Sequence, residues 1–151
     1  MTKEKKFPRE VLTKEGKQHF SVGAVIEKNN KVLIIERMLP PKGFAGIAGH
    51  VDYGEKPLDA LLREIKEETN LDVVSSCFLF KKMINQKEDC TFGVKKHKWY
   101  VYRVRCKGEI KPAKREVKTI AYMSKDRLKR LYREKKLEYA WAVIFKKLKI
   151  V

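Results

Sequence analysis

The sequence predicts an α/β sandwich in which helices pack on a central mixed β-sheet, and three observations point there. Apolar and β-branched runs recur along the chain, a helical period stands between them at 57–69, and a second apolar stripe of helical spacing ends the chain. At 151 residues the sequence has the length of one ordinary domain. The expectation is therefore a single domain over 1–151, with residues 1–17 as a polar N-terminal arm.

The elements follow in order. Residues 20–27 and 31–38 read as two strands joined at Asn29-Asn30, because asparagine tolerates the positive φ of a tight hairpin turn. The next stretch, "LPPKGFAGIAGHVDYGE", has loop composition, interrupted at most by a short strand at 47–51. Pro57 suits a first helical turn, and Leu58, Leu61, Leu62 and Ile65 set a core-facing stripe that stops at Asn70, a residue suited to a left-handed cap. Residues 73–84 and 98–106 are predicted strands with a polar loop, "NQKEDCTFG", between them. "VKTIAYMS" is a further strand, and Ser124 caps a helix to about Arg133. Leu137, Trp141, Ile144 and Leu148 lie along the last helix, which is expected to reach the C-terminus.

Composition narrows the function classes. Hydrophobic residues at 43% and charged residues at 36% describe a folded chain with an ionised surface, not a disordered one. "MTKEKKFPRE" leads into no apolar signal region, and no apolar run approaches the roughly 20 residues that cross a bilayer. The cysteines, Cys77, Cys90 and Cys106, contain no CxxC pair. They predict reduced thiols in the cytoplasm, neither a disulfide framework nor a zinc site, with Cys77 and Cys106 as inert core residues. Thirty-six Lys and Arg against 19 Asp and Glu give a net charge of +17. That excess suits nucleic acid, acidic membrane or phosphorylated small molecules, and equally a solubilising surface; charge does not choose among them.

Against that background "GHVDYGEKPLDALLREIKEETNL" concentrates six carboxylates and three Lys or Arg residues. On a helix Glu64, Glu67 and Glu68 fall within a sector of about 100°, beside the leucine stripe. Glu64 and Glu68 form a like-charge i,i+4 pair that costs roughly a few tenths of a kcal/mol in isolation. Arg63, four residues before Glu67, can orient one of them. A hard divalent cation can satisfy all three, since Mg²⁺ favours carboxylate oxygens and often binds substrate phosphates as well. A solvated, salt-bridged helix face is the other reading of "REIKEE".

Gly49, five residues, Glu55, seven residues, then Arg63-Glu64-Ile65-x-Glu67-Glu68-x-Asn70-Leu71 resembles the Nudix box, with Asn70 in place of the final glycine. The preceding hairpin and the later "MSKDRL" also look like that family's frame. The resemblance implies a Nudix-type α/β/α sandwich and a pyrophosphohydrolase that cleaves nucleoside diphosphates linked to another moiety, with water as nucleophile and Mg²⁺ or Mn²⁺ as cofactor. Carried over, Glu67 and Glu68 are the principal metal ligands, Glu64 is a further ligand or the base, and the Ala48 carbonyl adds a ligand. Arg63 holds the glutamates, and Glu55 braces the loop or joins the metal shell. Gly49 admits close backbone approach, and Gly54 turns the loop into the helix. Glu116 stands where relatives place a further acidic ligand or base; a surface glutamate paired with Lys114 or Arg115 is the alternative.

Outside the box the residues are less decisive. His50 is either a phosphate contact or a packed loop histidine, and Arg37, Arg103, Arg105 and Lys42 are either phosphate contacts or surface charge. Trp99, Tyr100 and Tyr102 could stack a base, but strand alternation puts the two tyrosines on the face opposite Trp99. Gln86 and Lys87 stand where ADP-ribose pyrophosphatases of the family carry a proline, which leans the substrate expectation toward a MutT-like nucleotide hydrolase. The expected partner is a phosphorylated small molecule, a nucleotide first; nucleic acid stays open, membrane is not expected, and monomer and homodimer are both open. Two alternatives stand beside the hydrolase: a Nudix enzyme acting on RNA 5′ ends, and a non-catalytic nucleic-acid or nucleotide binder on the same fold.

Overall fold

The structure, a computed structural model, describes residues 7–113 and 117–151. Its strands are β1 (Glu10–Thr13), β2 (Gly16–Lys28), β3 (Lys31–Arg37), β4 (Gly43–Ala45), β5 (Ile47–His50), β6 (Asp72–Asn85), β7 (Lys96–Lys107) and β8 (Val117–Ser124). The helices are α1 (Pro57–Thr69), α2 (Lys125–Arg133) and α3 (Tyr139–Lys147). The sheet runs β4-β3-β2-β7-β6, with β1 and β5 on β2 and β8 on β3. β2 and β7 are parallel while β6 joins β7 antiparallel, so the sheet is mixed and the helices flank it, as the α/β/α sandwich requires.

Local chemistry accounts for several joins. Asn29 and Asn30 take φ of 52° and 60°, closing the two-residue turn that pairs Lys28 with Lys31. Ser124 accepts a hydrogen bond from the Arg127 N–H at 3.1 Å and so starts α2. Asn70 ends α1 in the left-handed region at φ 68°, its N–H donating to the Lys66 carbonyl. The 151-residue chain has Asn where the box usually has Gly, and the backbone is left-handed there all the same.

The structure corrects four expectations. Leu58 and Leu62 are 41% and 40% exposed, while Ala60, Leu61 and Ile65 are buried. The inner line of α1 runs 61-65-68 against β5, β2 and β6, so the buried stripe is narrower than the apolar period and ends on a carboxylate, Glu68. Within residues 1–17, Glu10–Thr13 forms a strand rather than an arm, and β2 begins at Gly16. Cys77 is exposed, because β6 is the edge of the sheet path and much of it faces outward, and Cys106, near the end of β7, is half-buried. The last helix begins at Tyr139, capped by Glu138, and ends at Lys147.

α3 places Trp141 against Trp99 of β7, their rings 6.0 Å apart and nearly perpendicular. Trp141, Ile144 and Phe145 are fully buried there, while Leu148 is half-buried. No described helix is long and apolar enough to cross a membrane.

Candidate active site

β5 runs into the loop that precedes α1, and Arg63, midway along α1, reaches back across it. Its Nε donates to Glu55 Oε2 at 2.8 Å and its Nη2 to Glu55 Oε1 at 2.9 Å. Nη1 donates to Glu64 Oε1 at 2.7 Å and to Glu67 Oε2 at 3.4 Å. Nη2 also meets the His50 carbonyl at 3.0 Å and Asp52 Oδ2 at 3.3 Å. One planar fork thus ties the loop to two helix carboxylates. The hydrogen bonds to Glu55, opposed by burial and reinforced by Glu64, push the guanidinium pKa further up. Glu55 in turn accepts the Asp52 N–H at 3.1 Å, and Arg9 donates to the Glu55 carbonyl. Asp52 is a hub residue that spacing did not single out.

Gly49 is required by contact. A Cβ built on it would fall inside the Glu64 carboxylate, so only glycine lets that side chain lie against the β5 backbone. Gly54 turns the loop at φ 76°.

Glu64, Glu67 and Glu68 line a pocket of about 470 Å³ together with Ala48, Arg37 and His50. Glu68 is 5% exposed, whereas the Glu67 side chain is 42% exposed at the rim. Arg37 donates to the Leu39 and Pro40 carbonyls at 3.4 and 3.5 Å on the far wall. Trp99 lines the pocket, and Tyr100 and Tyr102 lie half-buried elsewhere on β7, as alternation predicts. Arg103 instead pairs with Glu27 at 3.3 Å, Arg105 is exposed, and Lys42 borders a neighbouring pocket. Glu116 lies outside the described residues. The Glu64, Glu67 and Glu68 carboxylates that line the pocket are the hard oxygen donors that a Mg²⁺ or Mn²⁺ ion takes, so the residues present fit such an ion.

Sequence spacing missed a second set. Among the described residues, ligand atoms of His19, His50, Cys90 and His97 all lie within 4.8 Å of one another, beside the same pocket. Cys90 Sγ is 3.7 Å from His19 Nδ1. Burial opposes ionisation of this thiol, but the neighbouring imidazoles of His19, His50 and His97 prevail and bring its pKa down to about 3. Burial also lowers the His97 pKa; for His19 it acts downward too, yet the contacts with Cys90 and Glu10 leave the value raised. The expectation of no zinc site rested on spacing alone, and Cys90 stands within reach of three imidazoles that could share an ion with it. A CxxC search cannot see it, because the four residues come from β2, β5, the β6–β7 loop and β7. Glu138, 3% exposed, also reaches the pocket while its carboxylate accepts the Ala140 and Trp141 N–H groups at 3.0 and 3.3 Å.

The NUDIX domain model matches residues 17–142, which include the whole Arg63 and glutamate site. The chain belongs to the Nudix hydrolase family. Over 53 residues it is 51% identical to the ADP-ribose pyrophosphatase of Methanocaldococcus jannaschii, a match covering 34% of this chain and 31% of that protein. The match thus spans about a third of the curated relative. A crystal structure of a MutT NUDIX hydrolase from Burkholderia pseudomallei superposes with a TM-score of 0.63 at 22% identity, covering 72% of this chain and 84% of that one. The C. elegans Ap4A hydrolase in a binary complex gives a TM-score of 0.62 at 19% identity, covering 85% and 95%. At these identities the structural likeness establishes the Nudix fold.

Proposed function

We propose that this Nudix protein is a divalent-metal-dependent pyrophosphohydrolase acting on nucleoside diphosphates linked to another moiety. The observation that supports the reading best is the glutamate edge of α1, held in register by Arg63 and opening on a pocket large enough for a nucleotide derivative. Glu67, Glu68 and the Ala48 carbonyl would hold Mg²⁺ or Mn²⁺, with Glu64 completing the set or acting as base. The ion would neutralise charge on the phosphate oxygens and ease formation of hydroxide from water.

The chain's own residues supply position and a proton acceptor. Water attacks phosphorus, the bridging P–O bond breaks, and the two phosphate products separate. As base, Glu64 takes the water proton; its carboxylate is fixed by Arg63 Nη1 on one side and by the close backbone of Gly49 on the other. Arg37 and His50 flank the pocket where phosphate oxygens would lie, and Trp99 offers an apolar surface for the rest of the substrate. The three free cysteines support a reducing, cytoplasmic setting.

The stretch shared with the M. jannaschii protein supports ADP-ribose as a candidate substrate beside the nucleotides of a MutT-like hydrolase, toward which the missing proline leans. The test is a panel of ADP-ribose, deoxynucleoside triphosphates, diadenosine tetraphosphate, nucleotide sugars and 5′-triphosphorylated RNA with Mg²⁺. Release of a nucleoside monophosphate from at least one small-molecule substrate is expected. Absence of turnover across the panel overturns the reading, and turnover of RNA alone moves it to RNA 5′ ends.

A further inference from the structure

The chain contains three histidines, and all three meet at Cys90. Nothing in pyrophosphate hydrolysis at the glutamate edge needs this. We propose that His19, His50, Cys90 and His97 form a four-coordinate zinc site that pins the β6–β7 loop to the sheet beside the glutamate pocket.

The donor set and its spacing carry the assignment. Three imidazole nitrogens and one thiolate are borderline-soft ligands, a zinc set rather than a magnesium one. A tetrahedral site with Zn–N near 2.0–2.1 Å and Zn–S near 2.3 Å has ligand-to-ligand edges of about 3.3–3.6 Å. The 3.7 Å between Cys90 Sγ and His19 Nδ1 is close to such an edge, and the four ligand atoms all lie within 4.8 Å of one another.

Burial gives an independent indication. His19 is 1% exposed, His97 2% and Cys90 7%. The buried Nε2 of His97 has no hydrogen-bond partner, which in a protein interior costs stability unless something else engages it. The outer contacts aim the rings inward. His19 Nε2 meets Glu10 Oε1 at 3.1 Å, which leaves Nδ1 to the cluster, and His97 Nδ1 meets Ser21 Oγ at 3.5 Å, which leaves Nε2. A carboxylate or hydroxyl behind a ligating imidazole is the usual arrangement for fixing its tautomer.

The backbone brings these groups together by register. His19 is the parallel partner of His97 across β2 and β7, and Ser21 is the antiparallel partner of His50 across β2 and β5. Cys90 arrives on the loop between β6 and β7, which closes through Gln86 N–H to the Lys95 carbonyl at 2.9 Å and Cys90 N–H to the Val94 carbonyl at 3.0 Å. Phe92 lies edge-on to His19 and His50, with centroids 6.2 and 5.6 Å away, and covers the cluster from solvent. With all four ligands from protein the site is closed and structural. His50 follows Gly49 and offers its carbonyl to Arg63, so the site steadies the strand against which the Glu64 side chain lies.

The proposal stands apart from the hydrolase reading, and its test needs no substrate. Untagged full-length protein, equilibrated with zinc and desalted, is analysed for metal; cobalt-loaded protein is examined by absorption. One zinc per chain is expected, with tetrahedral cobalt bands and thiolate-to-cobalt charge transfer. Glu67→Gln/Glu68→Gln should keep the zinc. Cys90→Ser should lose the charge-transfer band, and His50→Ala, at the least buried ligand, should lose zinc to a chelator at which wild type retains it. Circular dichroism verifies folding of both. Substoichiometric zinc in folded wild type, or zinc retained equally by both ligand variants, overturns the proposal.

Discussion

Arg63 grips Glu55 with two nitrogens, at 2.8 and 2.9 Å, while its third nitrogen holds Glu64 and Glu67 on its own helix. A lysine has one point donor and cannot reproduce that fork. Arg63→Lys should therefore keep the fold and lose roughly 10- to 100-fold in kcat, the scale seen when a group orienting metal ligands is removed. Steady-state kinetics on the best substrate of the panel measures it; unchanged kcat would remove Arg63 from the account.

Gly49→Ala tests the approach of Glu64 to β5. The added methyl must displace the carboxylate or the strand, a distortion that costs about 1–3 kcal/mol in stability. Misplacing the base or ligand should lower kcat by about 100-fold. Urea unfolding and kinetics separate the two effects.

Asn70 tests the cap. At φ 68°, Asn70→Gly should change stability by less than about 0.5 kcal/mol, whereas Asn70→Ala should cost about 1 kcal/mol because alanine keeps a Cβ in the left-handed region but loses the polar side chain that makes it tolerable, with its Nδ2 hydrogen bond to the Glu109 carbonyl. Chemical denaturation of the two variants reads the difference directly.

Glu138 tests the buried cap of α3. Burial raises its pKa above the ordinary 4.5, against the pull of the Ala140 and Trp141 N–H groups and Arg37. The folded protein then binds this proton more tightly than the unfolded chain does. The stability contributed is full below 4.5 and lost as pH rises through the folded value. Glu138→Gln removes that loss, so the Tm of the variant should gain on wild type between pH 4 and pH 7. A difference that is flat with pH would contradict the assignment.

The parts of this protein legible in sequence are those whose chemistry is local. Asn29-Asn30, Pro57, Asn70 and Ser124 each fix a turn or a helix end through their own backbone preferences, and the strands and helices between them follow. The glutamate site was legible because its residues lie on one loop and one helix. Leu58 and Leu62 misled because periodicity gives the direction of a stripe and not its buried width. Cys77 misled because an apolar run on an edge strand need not be covered. The His and Cys cluster was invisible because it depends on the β2–β7 and β2–β5 registers, which spacing cannot supply. The signal that was present was composition: three histidines, of which only His50 had a candidate role, in a chain carrying a loop cysteine.

If the glutamate edge of α1 carries Mg²⁺-dependent pyrophosphate hydrolysis, turnover depends on both the ion and Glu67. Measuring kcat as a function of Mg²⁺ for wild type and Glu67→Gln, on the best substrate and with folding verified, decides this. Wild type should be activated by Mg²⁺ and silenced by its removal, and Glu67→Gln should fall by roughly 100-fold or more at saturating metal. A folded Glu67→Gln protein that turns over at the wild-type rate would contradict the account.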